Sequence, residues 1–272
     1  MRFKLFIVFL FLSLLGKAQQ YVSHVYNFNI DNFPSVYGGK TEWKRFLRDN
    51  MVYPATDLKE KAEGTVLIAF VVTKEGKTLD PKIVESVTND IDQEALRLLS
   101  LIEWFPSTQN GIGVNVNHSV EINFSVSRYK KWVKERGFEK RFFTDLPADT
   151  TLAVYENPDK AATFFDKDKT FGEFISSNLE YPEEARRQGL EGNIAMSFII
   201  EPNGTVSNLR IRNDGVGAGC NDEAIRVMGL TRWKPAVKDG KYVRSRRDYT
   251  MTFNVKNSYK DNSNASQRPF GQ

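Results

Sequence analysis

Apolar and polar positions along the chain follow the periods of short helices and strands. Residues 66–72 are apolar at nearly every position, which predicts a strand covered on both faces. Apolar residues recur at helical spacing from Ile91 to Ile102, which predicts an amphipathic helix. Residues 120–126 alternate between apolar and polar side chains, as in an antiparallel strand with one solvated face. Together these patterns predict a small antiparallel sheet with helices on one side.

The same pattern occurs twice in the chain. The offset between the copies is 128 residues up to Ile211 and 129 from Glu223 onward, which indicates one inserted residue before the second helix of this kind. Long-period self-similarity marks repeated structural units, so we predict two copies of one domain. The matched positions are Tyr53-Pro54, Glu63-Gly64, Gly76, Glu94-Ala95, Trp104 and Pro106 in the first copy, and Tyr181-Pro182, Glu191-Gly192, Gly204, Glu223-Ala224, Trp233 and Pro235 in the second.

Local signals give the order of elements within each copy. Pro54 and Pro182 restrict the preceding tyrosine to extended geometry and each open a short helix. Gly76 and Gly204 suit the left-handed position of a tight turn between two strands. The predicted fold class is therefore α+β, with two tandem small domains. Each is a short antiparallel sheet with helices packed on one face, in the order ααββαβ, and its last strand is the natural edge.

These residues, taken as an ordered set, resemble the C-terminal domain of the TonB energy-transducer family. The resemblance covers most of residues 32–126 and 164–255, with one departure at Asp57, where the second copy has Ala185. It implies a periplasmic domain that docks on TonB-dependent outer-membrane transporters. In that family the transporter's TonB box adds as a strand beside the last strand of the domain, a mode in which main-chain hydrogen bonds supply the affinity.

The resemblance thus implies two partner-binding edge strands. The second-copy strand is the preferred docking strand, and the first-copy strand is its counterpart. The predicted partner-binding residues are Tyr249, Thr250, Met251, Thr252, Phe253, Asn254 and Val255 in the second copy, and Val120, Glu121, Ile122, Asn123, Phe124, Ser125 and Val126 in the first.

The N-terminus has the layout of a secretory signal. Arg2 and Lys4 precede an apolar run, and small residues then frame a cleavage site after Ala18. As a helix the run would be about 16 Å long, which is shorter than the bilayer core of about 30 Å. An uncleaved membrane anchor is the less favoured alternative to a cleaved signal. The predicted divisions are a signal peptide (1–18), a first domain (19–127), a basic connector (128–163), a second domain (164–256) and a disordered tail (257–272).

The chain also departs from the energy transducers of that family. Its apolar run holds no histidine, and its prolines form no extended spacer between the run and the folded sequence. We therefore expect a periplasmic tandem adaptor, exported by the cleaved signal, rather than a transmitter of force from an inner-membrane motor. Expected partners are a TonB-dependent transporter or another envelope protein, and an open edge also permits a homodimer.

Charge gives a second hypothesis for the function. The predicted signal would remove three of the cations behind the net charge of +4, so the exported chain is close to neutral, which argues against nucleic acid. Residues 128–141 carry seven bases and two acids. They fit a solvated helix that joins the copies, with Trp132 and Phe138 packed inward. They also fit a patch for an anionic partner such as peptidoglycan, and hence a cell-envelope scaffold without energy transduction.

Catalytic chemistry finds little support in the sequence. His24 and His118 are the only histidines, so a nucleophile–histidine system would have to use one of them. No histidine–cysteine spacing suits zinc and no glycine loop suits phosphate. The single cysteine, Cys220, aligns with Ile91 and reads as a small buried hydrophobe. We expect a non-enzyme with no cofactor and no metal, and an enzyme remains a third hypothesis.

Overall fold

The structure is a computed structural model that describes residues 30–213 and 215–255. The predicted signal peptide, His24 and the predicted tail lie outside the described residues. Within them the chain forms two α+β domains of the same design, which confirms the predicted fold class.

The first domain is built on a three-stranded antiparallel sheet. Its elements are β1 (Ser35–Val36), α1 (Gly39–Asn50), α2 (Ala55–Glu60), β2 (Gly64–Val72), β3 (Thr78–Glu85), α3 (Asn89–Ser100), β4 (Trp104–Phe105), β5 (Ser107–Gln109), β6 (Ile112–Val114), β7 (Val116–Phe124) and α4 (Val126–Arg136). The sheet order is β3-β2-β7, while β1 pairs with β4 and β5 with β6. The last long strand of the copy therefore stands at one edge of its sheet.

The second domain repeats this plan with a longer last strand. A short strand, β8 (Val154–Tyr155), precedes β9 (Thr163–Phe164), α5 (Phe171–Asn178), α6 (Glu183–Arg187), β10 (Gly192–Ile200), β11 (Val206–Ile211), α7 (Cys220–Leu230), β12 (Trp233–Lys234), β13 (Ala236–Lys238) and β14 (Lys241–Phe253). The order is β11-β10-β14-β13, and β9 pairs with β12 as β1 does with β4.

Each core lies between the sheet and its helices. Burying a large apolar side chain is worth about 1.5–3 kcal/mol, so these clusters supply most of the stability of such small domains. The first core includes Phe46, Ile68, Leu98, Trp104 and Phe124, and the second includes Phe198, Val227, Met228, Trp233 and Phe253.

Polar residues repeated between the copies hold backbone groups rather than face a ligand. The Glu94 carboxylate accepts a hydrogen bond from the Val52 amide at 2.7 Å, and Glu223 accepts one from the Glu180 amide at 2.6 Å. The hydroxyl of Tyr53 likewise donates to a backbone carbonyl nine residues further along the chain. Because buried backbone groups need partners, these motif positions are accounted for by the fold alone.

The glycine of the first hairpin turn is required by contact as well as by conformation. Gly76 has φ +75°, and the amide of Trp104 donates to its carbonyl at 2.9 Å. A Cβ atom at this position would collide with the carbonyl oxygen of Trp104. Gly204 and Trp233 repeat the arrangement, with a Cβ at 2.7 Å from the Trp233 carbonyl oxygen. The Gly and Trp motifs are therefore one structural unit.

The departure at Asp57 has a local cause. Asp57 is buried, and its carboxylate accepts a hydrogen bond at 2.8 Å from the hydroxyl of Thr88. The same hydroxyl caps α3 by accepting from the amide of Ile91 at 3.2 Å. In the second domain Gly219 precedes the matching helix and offers no hydroxyl, so Ala185 suffices there.

The two central strands differ from the sequence expectation in one respect. Residues 197–200 of β10 are all buried, as predicted for a strand covered on both faces, whereas β2 is buried only at alternate residues. The expectation is wrong for β2. The reason is that the first domain covers the outer face of the second sheet, while no described segment covers the outer face of the first to the same degree. A smaller correction concerns Pro54 and Pro182, which each precede the helix as its N-cap.

The domains contact each other through polar groups. The backbone carbonyl of Leu101 accepts hydrogen bonds from Asn208 at 3.0 Å and from Arg244 at 2.9 Å. Glu103, two residues further along the same loop, is 5% exposed. Its carboxylate forms ion pairs with Arg246, at 2.8 Å, and with Arg210. The loop after α3 therefore seats the first domain on the second sheet.

Candidate strand-docking site

Within the described residues, four long strands have a side that no other long strand pairs with, and two of them are unsuited to accept a partner. Strand β3 contains Pro81 and Lys82 and pairs with β2 through shifted registers, features that protect a sheet edge. Strand β11 is covered by the first domain, since Arg45 donates to the carbonyl of Val206 at 2.8 Å and Asn208 bonds to Leu101. The remaining edges are β7 and β14, the two strands expected from the sequence.

Strand β7 has the predicted alternation of faces. Ile122 and Phe124 are buried and Val120 is half-buried against the core, whereas Glu121 and Asn123 are exposed. Strand β2 pairs with one side of β7 along its whole length. Within the described residues no strand pairs with the other side.

Strand β14 is covered over its first half. Tyr242 exchanges backbone hydrogen bonds with Pro147 and Asp149 at 2.8 Å, and β8 lies parallel beside Arg244 and Ser245. This cover by the segment between the domains had no sequence signal, because the segment is irregular. The Arg246 side chain pairs with Glu156 at 3.1 Å in the same region.

The second half of β14 is open on the side away from β10. The Arg247 side chain donates to the carbonyl of Ala162 at 2.7 Å, and beyond it no strand in the described ranges pairs with the outer side of residues 248–253. Thr250 and Thr252 are exposed, while Met251 and Phe253 are buried in the core.

Backbone hydrogen bonds identify which groups of β14 point outward. The amide and carbonyl of Ala195 both bond toward β11, to Asn213 at 3.0 Å and Arg212 at 2.7 Å. Ala195 stands opposite Thr250, so this is a non-hydrogen-bonded pair, and both backbone groups of Thr250 face away from β10. By the same alternation Asp248 and Thr252 also present their backbone groups to the outer edge.

Four predicted partner-binding residues lie past the ends of these strands. Ser125 precedes α4 and Val126 begins it, and Asn254 and Val255 follow Phe253. The Val126 amide donates to the Glu63 carboxylate at 2.5 Å, and the Val255 amide donates to Glu191 at 2.8 Å. Since these glutamates take the amides that a longer strand would offer, including the four residues in the edge strands was wrong.

The remaining chemical candidates are packed inside the domains. His118 lies edge-on to Phe70 and Trp104, with ring centroids 5.6 and 5.2 Å apart, and burial lowers its pKa. Cys220 is buried at the start of α7, and burial raises the pKa of its thiol. Among the described residues, no group of three His, Cys, Asp or Glu side chains is placed to hold a metal ion.

A model of the family described as "Gram-negative bacterial TonB protein C-terminal" matches residues 49–126 and 177–255, which together make up more than half of the chain. The chain belongs to the TonB C-terminal family. It carries two copies of the family domain, in agreement with the repeat in its sequence. A TonB-like domain implies a protein of the cell envelope. No helix in the described part of the chain is long and apolar enough to cross a membrane.

Two solved TonB domains are similar to parts of the chain. The solution structure of the TonB C-terminal domain of Pseudomonas aeruginosa is 20% identical, with a TM-score of 0.26, and the match covers 40% of this chain and 94% of that one. The Helicobacter pylori TonB C-terminal domain is 21% identical, with a TM-score of 0.23 and coverage of 30% and 73%. A search of curated proteins found no match.

Helix α4, the basic segment of the predicted connector, packs on the first domain. Tyr129 is buried, and Trp132 packs against the first core. Arg136 is buried too and donates to the carbonyls of Arg48 and Met51 at 2.8 Å. Lys130, Lys131 and Lys134 are exposed on the other side.

Proposed function

We propose that this chain is a periplasmic TonB-like adaptor that binds a partner by strand addition on β14. The partner class proposed is a TonB-dependent outer-membrane transporter, through its TonB box, so the protein takes part in transmembrane transport. The observation that carries the proposal is that no strand among the described residues pairs with the outer edge of residues 248–253, in a domain of the TonB C-terminal family.

The outward backbone groups of Asp248, Thr250 and Thr252 supply the pairing chemistry. An added strand would satisfy these groups with main-chain hydrogen bonds, each of which contributes a net of about 0.5–1.5 kcal/mol. The side chains of these residues face solvent, so they do not obstruct a neighbouring strand. Strand β7 has the same register to its central strand and is proposed as the counterpart of this preferred edge.

Proline substitution tests this proposal with little damage to the fold. Thr250→Pro removes an amide that points outward, so the pairing of β14 with β10 is retained. We expect TonB-box peptides to bind the unmodified protein and Thr250→Ala, and to bind Thr250→Pro at least tenfold more weakly, measured by titration calorimetry. Failure of the unmodified protein to bind any such peptide at millimolar concentration would defeat the proposal.

Strand addition could instead join two copies of the chain. Analytical ultracentrifugation separates this outcome, because a homodimer sensitive to Thr250→Pro would form without any peptide. A concentration-dependent dimer that peptide does not dissociate would replace the transporter in this account.

A second candidate function rests on α4. Its exposed lysines lie on one surface of a helix fixed to the first domain, which suits an anionic polymer such as peptidoglycan and an envelope scaffold. A peptidoglycan pull-down should retain the protein at low salt and lose it when Lys130, Lys131 and Lys134 are changed to Glu. Retention that ignores both salt and these changes would exclude this function.

A further inference from the structure

An aromatic cavity lies beside the open half of β14. Its volume is about 360 Å³, it is open to solvent, and it is lined by residues of the edge strand, the start of α5 and the short strand β9. Five of the residues that line it are aromatic: Phe164, Phe171, Phe198, Trp233 and Tyr249.

The rings hold one another in fixed orientations around the cavity. Phe171 meets Tyr249 edge-on at 4.9 Å between centroids and contacts Phe164 at 5.2 Å. Arg247 lies over the ring of Trp233 at 5.5 Å, and its guanidinium is anchored to the carbonyl of Ala162. The wall is therefore preformed, and no polar atom of the residues named here is both buried and without a hydrogen-bond partner.

The cavity lies on the side of the sheet that an added strand would reach. Tyr249 and Arg247 project toward the helices, opposite to the side chains of Asp248 and Thr250. A strand paired with the outer edge of β14 would direct every second side chain to the same face. Because directly opposed side chains in neighbouring strands are about 4.5–5.5 Å apart, a residue opposite Tyr249 would stand at the mouth of the cavity.

Resting on the proposed function, we propose that this cavity receives an aromatic side chain of the strand that pairs with residues 248–253. Aromatic rings gain from edge-on and offset contacts with other rings beyond their simple burial. Besides the rings, the lining includes Asp248 and the Arg247 guanidinium, which already donates to the carbonyl of Ala162, so ring surface is the main contact offered to a guest side chain. The cavity thus supplies the side-chain selectivity that backbone pairing cannot.

The first domain replaces three of the groups that line this cavity. Val120 occupies the position of Tyr249, and His118 replaces Arg247 and packs edge-on to the ring of Trp104. Val36 stands where the second domain has Phe164. The two edges should therefore differ in the side chains that they select, even though their backbone geometry is the same.

A guest-residue scan tests this inference. TonB-box peptides carry Phe, Leu, Ala or Glu at each position in turn, and their dissociation constants are measured against the unmodified protein, Tyr249→Val, Phe171→Leu and Thr250→Pro. We expect Phe to improve binding about tenfold over Ala, which equals about 1.4 kcal/mol, and only at alternate positions. Both cavity variants should lose this preference but keep the affinity for the Ala peptides.

The outcomes separate the cavity from the edge. Binding that is lost in Thr250→Pro but shows no preference for Phe over Ala would overturn the cavity inference and leave the proposed function standing. A preference for Leu over Phe would also overturn the cavity inference. So would a preference for Phe that is unchanged in both cavity variants. Absence of binding by every peptide would defeat the proposed function and the inference together. Thermal unfolding of each variant controls for loss of fold.

Discussion

Replacing Glu103 by glutamine tests how the two domains are held together. Its carboxylate is 5% exposed and lies 2.8 Å from Arg246 and 3.3 Å from Lys77, with Arg210 as a third partner. The substitution keeps the shape of the side chain and removes its charge, which leaves the two arginines of the second domain facing a neutral amide.

The magnitude follows from the burial of the partners. Removing one member of a fully buried ion pair costs about 3–5 kcal/mol, because the other charge is left uncompensated. The Arg246 and Arg210 side chains are 19% and 24% exposed, so water relieves part of that penalty. We therefore expect Glu103→Gln to lower the free energy of unfolding by about 2–3 kcal/mol.

Urea denaturation followed by circular dichroism measures this change. Glu75→Gln is a matched control, because Glu75 is exposed and pairs with the equally exposed Lys74 at 3.9 Å; the control should stay within about 0.5 kcal/mol of the unmodified protein. A double-mutant cycle with Arg246→Gln should give a coupling energy of at least about 1 kcal/mol. A cost for Glu103→Gln no larger than that of the control, or a coupling near zero, would refute the reasoning.

Two further predictions concern the interior of the first domain. Gly76→Ala should destabilise the protein by at least about 1 kcal/mol more than Gly111→Ala, measured by urea denaturation. Both glycines have positive φ, but only Gly76 lies against a backbone carbonyl oxygen. Equal losses in the free energy of unfolding would contradict this contact. Burial lowers the pKa of His118 in the folded protein. As pH falls through about 6.5, the imidazole is therefore protonated more readily in the unfolded chain than in the folded one, and the free energy of unfolding decreases below that pH. His118→Phe should show a smaller loss between pH 7.5 and 5.5, and an unchanged pH profile would exclude this role.

The sequence predicted the duplicated domain and its strands because both leave periodic signals, whereas the use of the last strands as docking edges was implied by the family resemblance. Apolar positions at helical and strand spacing are local, and the constant offset between copies reports a shared fold without knowledge of contacts. The partnership of Glu94 with Arg97, repeated by Glu223 and Arg226, was missed although it has the same offset. The signal was present, and reading Glu-Ala as the motif left out the arginine that completes it.

Other features could not be read from periodicity. The cover over the first half of β14 comes from an irregular segment about ninety residues away in sequence, whose bonds to Tyr242 are made by the backbone. The contact between domains depends on positions where the copies differ: Glu103 aligns with Arg232. Such a charge reversal shows that two repeated sites have different surroundings, but not what those surroundings are. The ends of the last strands at Phe124 and Phe253 could not be predicted either, because they depend on hydrogen bonds from the following backbone to the distant carboxylates of Glu63 and Glu191.

Amide hydrogen exchange at the outer edge of β14 tests the central claim most directly. The amides of Asp248, Thr250 and Thr252 point away from β10, so they should exchange rapidly in the protein alone and become protected when a TonB-box peptide is bound. The amides of Tyr249 and Met251, which face β10, should be protected in both states. Slow exchange of the outward amides without any partner, or unchanged rapid exchange at saturating peptide, would contradict strand addition at this edge.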